Sequence, residues 1–109
     1  MNVSDLLELG YQVHTTVSLQ NEFEGAYVGD LLSVVMKSAE SGNLLVTILC
    51  NLNTVAVAVL LDIPVILFTE NDEVPQNIID KANQEQVVLF STKKKSIDVI
   101  KELVKQGKI

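Results

Sequence analysis

Apolar and polar positions fall in blocks along this chain, and the blocks predict alternating helices and strands. Ser4–Leu9 has helical spacing, with Ser4 placed to cap, Leu6, Leu7 and Leu9 forming an apolar face, and Gly10 ending it. Tyr11–Val17 and Phe23–Val28 alternate as two strands, separated by the polar stretch Ser18–Glu22. Asp30 is placed to cap a helix over Leu31–Ala39, in which Leu31, Leu32, Val34, Val35 and Met36 give a broad buried face; Ser41-Gly42-Asn43 supplies the turn that stops it.

From residue 44 the pattern becomes regular. Leu44–Leu49 is a continuous apolar run, as in a strand buried on both faces. Asn51, Asn53 and Thr54 can cap a helix running to about Leu61, which Asp62-Ile63-Pro64 closes because the residue before proline avoids the α region. Val65–Phe68 is the next strand. Thr69–Val74 is a polar loop, and Pro75 is placed as the first residue of a helix ending near Gln84, with Ile78, Ile79 and Ala82 inward. Val87–Phe90 is the last strand and Ser96–Lys105 the last helix, with Ile97, Ile100, Leu103 and Val104 inward. This order predicts right-handed βαβ units: a three-layer α/β/α fold with a mixed, mostly parallel sheet of four to five strands, and one domain over residues 1–109.

One stretch admits two readings. Thr54–Leu61 alternates valine and alanine and could hairpin against Leu44–Leu49, but the polar residues before it and the Asp-Ile-Pro exit favour a helix. Such a helix is apolar almost all round and needs covering on more than one side. Neighbouring helices within the domain are one way to cover it. A homo-oligomer interface, expected to be that of a homodimer, is the other.

Composition narrows the function. The 109 residues carry a formal net charge of −6, and all eight basic residues are lysines. An acidic chain without arginine is poorly suited to nucleic acid, where phosphate neutralisation and bidentate base contacts fall to arginine and lysine. The longest apolar run, Val55 to Leu61, is too short to cross a bilayer, residues 1–10 lack a signal-peptide pattern, and the lone Cys50 suits a reducing cytoplasm. A cytoplasmic protein with no membrane partner is expected.

In open parallel sheets ligands bind beyond the carboxyl ends of the strands. That edge gathers Cys50, Asn51, Asn53 and Thr54, then Thr69, Glu70, Asn71 and Asp72, and finally Ser91, Thr92 and Lys93–Lys95. Asn51, Asn53, Thr54, Thr69, Ser91 and Thr92 are the candidate binding residues for a small polar or anionic ligand, although amides and hydroxyls there also serve as helix caps and solvated loops. Lys93-Lys94-Lys95 precedes a helix, where a bound anion would offset positive charge at the dipole's positive end. Cys50 has no His or Arg near it in sequence to stabilise a thiolate. His14, the only histidine, makes no zinc motif, and Glu70, Asp72 and Glu73 lack calcium-loop spacing. No GxxxxGK[ST], GxGxxG or GxSxG occurs. No metal, cofactor or catalytic set is expected; the alternative from another class is a small enzyme or phosphocarrier using Cys50 or His14 with Ser91 and Thr92.

The stretches Tyr27-Val28-Gly29-Asp30-Leu31-Leu32-Ser33, Gly42-Asn43-Leu44-Leu45-Val46-Thr47-Ile48 and Asn53-Thr54-Val55-Ala56-Val57-Ala58, with Ile66–Thr69, Pro75 and Ser91-Thr92, resemble a DRTGG-domain protein. The opening Val3–Val13 also resembles the helix and strand that begin that family. Such domains are similar to the N-terminal domain of HPr kinase/phosphorylase, a fold of the kind also met in MurF. They occur beside CBS domains in regulated pyrophosphatases and as short proteins near iron-hydrogenase or ferredoxin subunits. The name-giving run is not present, since Phe68 is followed by Thr69-Glu70-Asn71-Asp72-Glu73, and Asn51 stands where relatives often carry histidine. The resemblance implies a non-catalytic regulatory or assembly domain, or alternatively an accessory subunit of a hydrogenase or ferredoxin redox complex.

Overall fold

A computed structural model describes all residues 1–109. Its elements run α1 (Ser4–Glu8), β1 (Gln12–Val13), β2 (Ala26–Val28), α2 (Leu32–Ser38), β3 (Leu44–Thr47), α3 (Leu52–Leu60), β4 (Val65–Phe68), α4 (Gln76–Glu85), β5 (Val88–Ser91) and α5 (Ser96–Lys105). The sheet has five strands in the order β1-β5-β4-β3-β2. β2 through β5 are parallel, and β1 alone runs antiparallel, against β5. The expected mixed, mostly parallel sheet is therefore present.

Every residue of β3, β4 and β5 is buried, so alternate side chains supply two separate cores. Leu44, Val46, Val65, Leu67, Val88 and Phe90 point to one face, where α1 and α5 close over them with Val3, Leu6, Val99 and Leu103. Leu45, Ile66, Phe68 and Leu89 point to the other, under Val35 of α2, Val55, Val57 and Ala58 of α3, and Ile78 and Ala82 of α4. This double burial is why the sequence shows unbroken apolar runs rather than alternation. Residues 54–60 lie within helix α3, which settles the helix-or-hairpin choice for Thr54–Leu61.

The first third of the chain departs from expectation. Tyr11–Val17 and Phe23–Val28 contract to two- and three-residue strands, and these lie at opposite edges of the sheet. Between them Val17 and Phe23 bury side chains in the α1–α5 core without joining the sheet. Apolar spacing reported their burial, not strand pairing. Ser4 lies inside α1, whose N-cap is Val3. α2 buries only Val35, and leaves Leu31, Val34 and Met36 exposed. Pro75 is the N-cap of α4 rather than its first helical residue. On α5 the inward residues are Val99 and Leu103, with Ile100 partly buried, whereas Ile97 and Val104 are exposed.

Glu70, in the loop after β4, has φ 55°. A side chain in this left-handed region costs roughly 1–2 kcal/mol, while glycine's greater unfolded-state freedom takes back part of any gain from replacing it. Glu70→Gly is therefore expected to raise stability by about 0.5–1 kcal/mol, read as a higher urea midpoint. A lower midpoint would show that Glu70 makes a compensating contact.

Candidate functional site

β3, β4 and β5 end together, and their following loops bring most of the candidate residues to one edge. Asn51 is the N-cap of α3, its Oδ1 accepting from the Thr54 amide at 3.0 Å. Thr54 is fully buried, and its hydroxyl donates to Leu49 O at 2.6 Å. Asn53 lies within the first turn of α3, exposed, rather than capping it. One loop further, Thr69 is buried with its Oγ1 2.7 Å from Ser96 Oγ, so the hydroxyl ties the end of β4 to the start of α5. Thr92 Oγ1 accepts from the Lys94 amide at 3.2 Å, and Asn71 bridges to Thr92 through the backbone.

Ser91 behaves differently. It is buried, and its Oγ lies 2.6 Å from His14 Nε2, carried by the segment that leaves β1. The His14 amide donates to Leu89 O, Thr15 Oγ1 accepts from the Leu89 amide, and Asn83 Oδ1 of α4 accepts from the Thr16 amide. His14 and Ser91 thus join in a clasp fastening the edge strand to β5. Within it the Ser91 hydroxyl faces the His14 ring rather than solvent.

Sequence reasoning missed the partners of Asp30. Its carboxylate does not cap α2, whose N-cap is Leu31 with no side-chain bond. Instead Oδ1 accepts from the Thr47 hydroxyl and the Ile48 amide, each at 2.9 Å. Thr47 in turn accepts from the Leu49 amide at 3.1 Å. This pins the loop after β2 to the end of β3. The signal in the sequence is the hydroxyl of Thr47 within an otherwise apolar run.

The electrostatics of the edge are quiet. Burial pushes the Cys50 thiol up, outweighing the opposing hydrogen bond to Asn71, which keeps it in the unreactive protonated form. Lys93 pairs with Asp72 at 3.2 Å and Lys94 with Glu102 at 3.2 Å, so only Lys95 of the lysine run has no ion-pair partner. Lys94 also lies 5.7 Å from the centre of the Tyr11 ring, and the Tyr11 hydroxyl donates to Glu102. Burial first, and then Glu102, lifts the Tyr11 hydroxyl far above its ordinary value; the Tyr11 bond, ahead of Lys94, holds Glu102 low. No enclosed crevice forms at this edge. The concavity of the surface, about 390 Å³, lies at the opposite end of the strands between Met1, Glu22, Phe23, Glu24, Ser41 and Gly42.

Burial holds the His14 ring below its ordinary value. Between that depressed value and about 6.5, the unfolded chain takes up a proton that the folded chain refuses. The contribution is therefore complete above roughly pH 6.5 and is lost as pH falls. Melting temperature is expected to decline from pH 7 toward pH 5, and His14→Gln to flatten that decline. Glu102, held low, loses its contribution only in more acidic solution and leaves this window clear. An unaltered slope in the variant would assign the decline to other groups.

No helix is long and apolar enough to cross a membrane. Among curated proteins, none matches the chain. Among solved structures, the fold is similar to the CBS and DRTGG domains of the regulatory region of Clostridium perfringens pyrophosphatase, solved in complex with its activator, diadenosine tetraphosphate. The TM-score is 0.71 at 12% identity, over 94% of this chain and 45% of that one. The chain thus spans less than half the length of that structure. The sequence pattern described as HPr Serine kinase N terminus matches residues 52–106, from the start of α3 through α5. With half its length matched, α3-β4-α4-β5-α5 included, the chain belongs to the HPr Serine kinase N terminus family.

Proposed function

We propose that residues 1–109 act as one regulatory or assembly domain, not itself catalytic, that works as a homo-oligomer and binds a small polar or anionic ligand at the carboxyl edge of its sheet. The observation that carries this reading is the likeness, over 94% of the chain, to a regulatory region that holds a nucleotide activator. Asn51, Asn53 and Thr92 are the residues that reach a ligand, while Thr54, Thr69 and Ser91 hold the loops behind them. With only Lys95 unpaired among the nearby lysines, the seat suits a ligand held mainly by amide, hydroxyl and backbone groups.

Thermal-shift measurements with diadenosine tetraphosphate and simpler adenine nucleotides test the ligand half. A ligand at about a hundredfold its dissociation constant stabilises by roughly 2.7 kcal/mol, a shift of several degrees for a domain of this size. Loss of that shift in Asn53→Ala supports the assigned edge. Absence of any shift with every nucleotide overturns nucleotide binding.

A further inference from the structure

The three helices on one face of the sheet do not treat solvent alike. α4 turns Gln76, Asn77, Asp80 and Gln84 outward, as a surface helix should. Its neighbour α3 turns out Leu52, Ala56, Val59 and Leu60, with Asn53 its only exposed polar residue. The positions 52, 56, 59 and 60 form a continuous stripe at helical spacing. α2, packed beside α3, turns Ser33 and Lys37 outward between Val34 and Met36, which lie about 160° apart round the helix, so the apolar stripe belongs to α3.

We propose that this outer face of α3 is the seam of a two-fold homodimer, with a second copy of this chain as its occupant. The proposal rests on the oligomeric reading above and names its surface. Leu60 is 67% exposed, Leu52 45% and Val59 37%. With Val59 and Ala56, Leu60 and Leu52 expose on the order of 300 Å² of contiguous apolar surface, within the range that marks an interaction site on a monomer and the centre of a standard interface of roughly 800 Å² per partner. Charge selects the occupant. The chain carries −6, yet the exposed residues of α3 carry no charge at all. Two copies can therefore meet here without opposing their acidic groups, whereas a strongly charged partner finds no ion-pairing handle. An apolar stripe is also its own complement across a two-fold axis, as an isologous contact requires.

The test is sedimentation velocity on the full chain, at concentrations spanning the micromolar range, for the wild type, Leu60→Glu and a control, Ile97→Glu, on the exposed face of α5. The expected result is a wild-type dimer, a Leu60→Glu dissociation constant raised at least tenfold, and an unchanged Ile97→Glu. A wild-type dimer that Leu60→Glu leaves intact places the seam elsewhere and overturns the inference while oligomerisation stands. A wild-type monomer overturns both. Should Leu60→Glu fail to fold, Leu52→Glu, at the other end of the stripe, replaces it: a dissociation constant raised at least tenfold supports the seam, and a dimer that it leaves intact overturns it.

Discussion

Phe90→Ala is expected to cost about 3–5 kcal/mol, a large share of the roughly 5–15 kcal/mol that holds a domain of this size folded. Phe90 is fully buried in β5, with β4 hydrogen-bonded on one side and β1 on the other. Its ring fills the core between the sheet and the α1–α5 layer, alongside Tyr11, Phe23 and Leu103. Truncation removes both the transfer energy of the ring and the contacts of everything that lined it, and strands pinned on both sides cannot move to close the space. Urea denaturation should show a much lower midpoint with an unchanged slope. A loss under about 1 kcal/mol would mean that the site collapses freely, contrary to the packing described.

The second large effect is expected at Asp30. One carboxylate oxygen accepts two hydrogen bonds, and charge-assisted bonds contribute roughly 1.5–3 kcal/mol each before solvent screening. Because Asp30 is exposed, the net loss in Asp30→Ala should be nearer 2 kcal/mol than the sum of the two bonds. Asp30→Asn keeps an acceptor oxygen and should recover most of it. Equal losses in the two variants would show that the charge, not the acceptor geometry, stabilises this corner.

The second half of the fold was legible because local and long-range demands agree there. Leu44–Thr47, Val65–Phe68 and Val88–Ser91 are apolar on both faces, and Asn51 and Pro64 bound α3 with side chains whose preference is local. Before residue 44 the two demands separate. Val17 and Phe23 are apolar because they are buried, and nothing in their spacing distinguishes a buried loop from a strand. α5 shows a related failure. Ile97 and Val104 are as apolar as Val99 and Leu103, and only the sheet beneath decides which go inward.

The candidate site was legible as a place more than as a set of contacts. Topology brings Asn51, Asn53, Thr69 and Thr92 to the strand ends as βαβ connectivity requires. The pairing of Ser91 with His14 and of Thr69 with Ser96 depends on side chains far apart in sequence, beyond any local pattern. Glu70 is a further case. Its backbone takes the left-handed turn that glycine would occupy without strain, and nothing in the polar run around it marks that turn.

The antiparallel strand β1 sets an order of assembly. β3, β4 and β5 each pair with the strand next in sequence across a single helix, so their loops close at modest entropic cost. Gln12 pairs with Ser91, so this edge can form only after nearly the whole chain has been brought together. The clasp of His14, Thr15 and Thr16 is therefore expected to form late. It is also expected to release first under native conditions, because it hangs on a two-residue strand at a sheet edge. Hydrogen exchange would then separate one chain into two kinetic units: a slow β3–β4–β5 body and a fast N-terminal strap that opens without unfolding it.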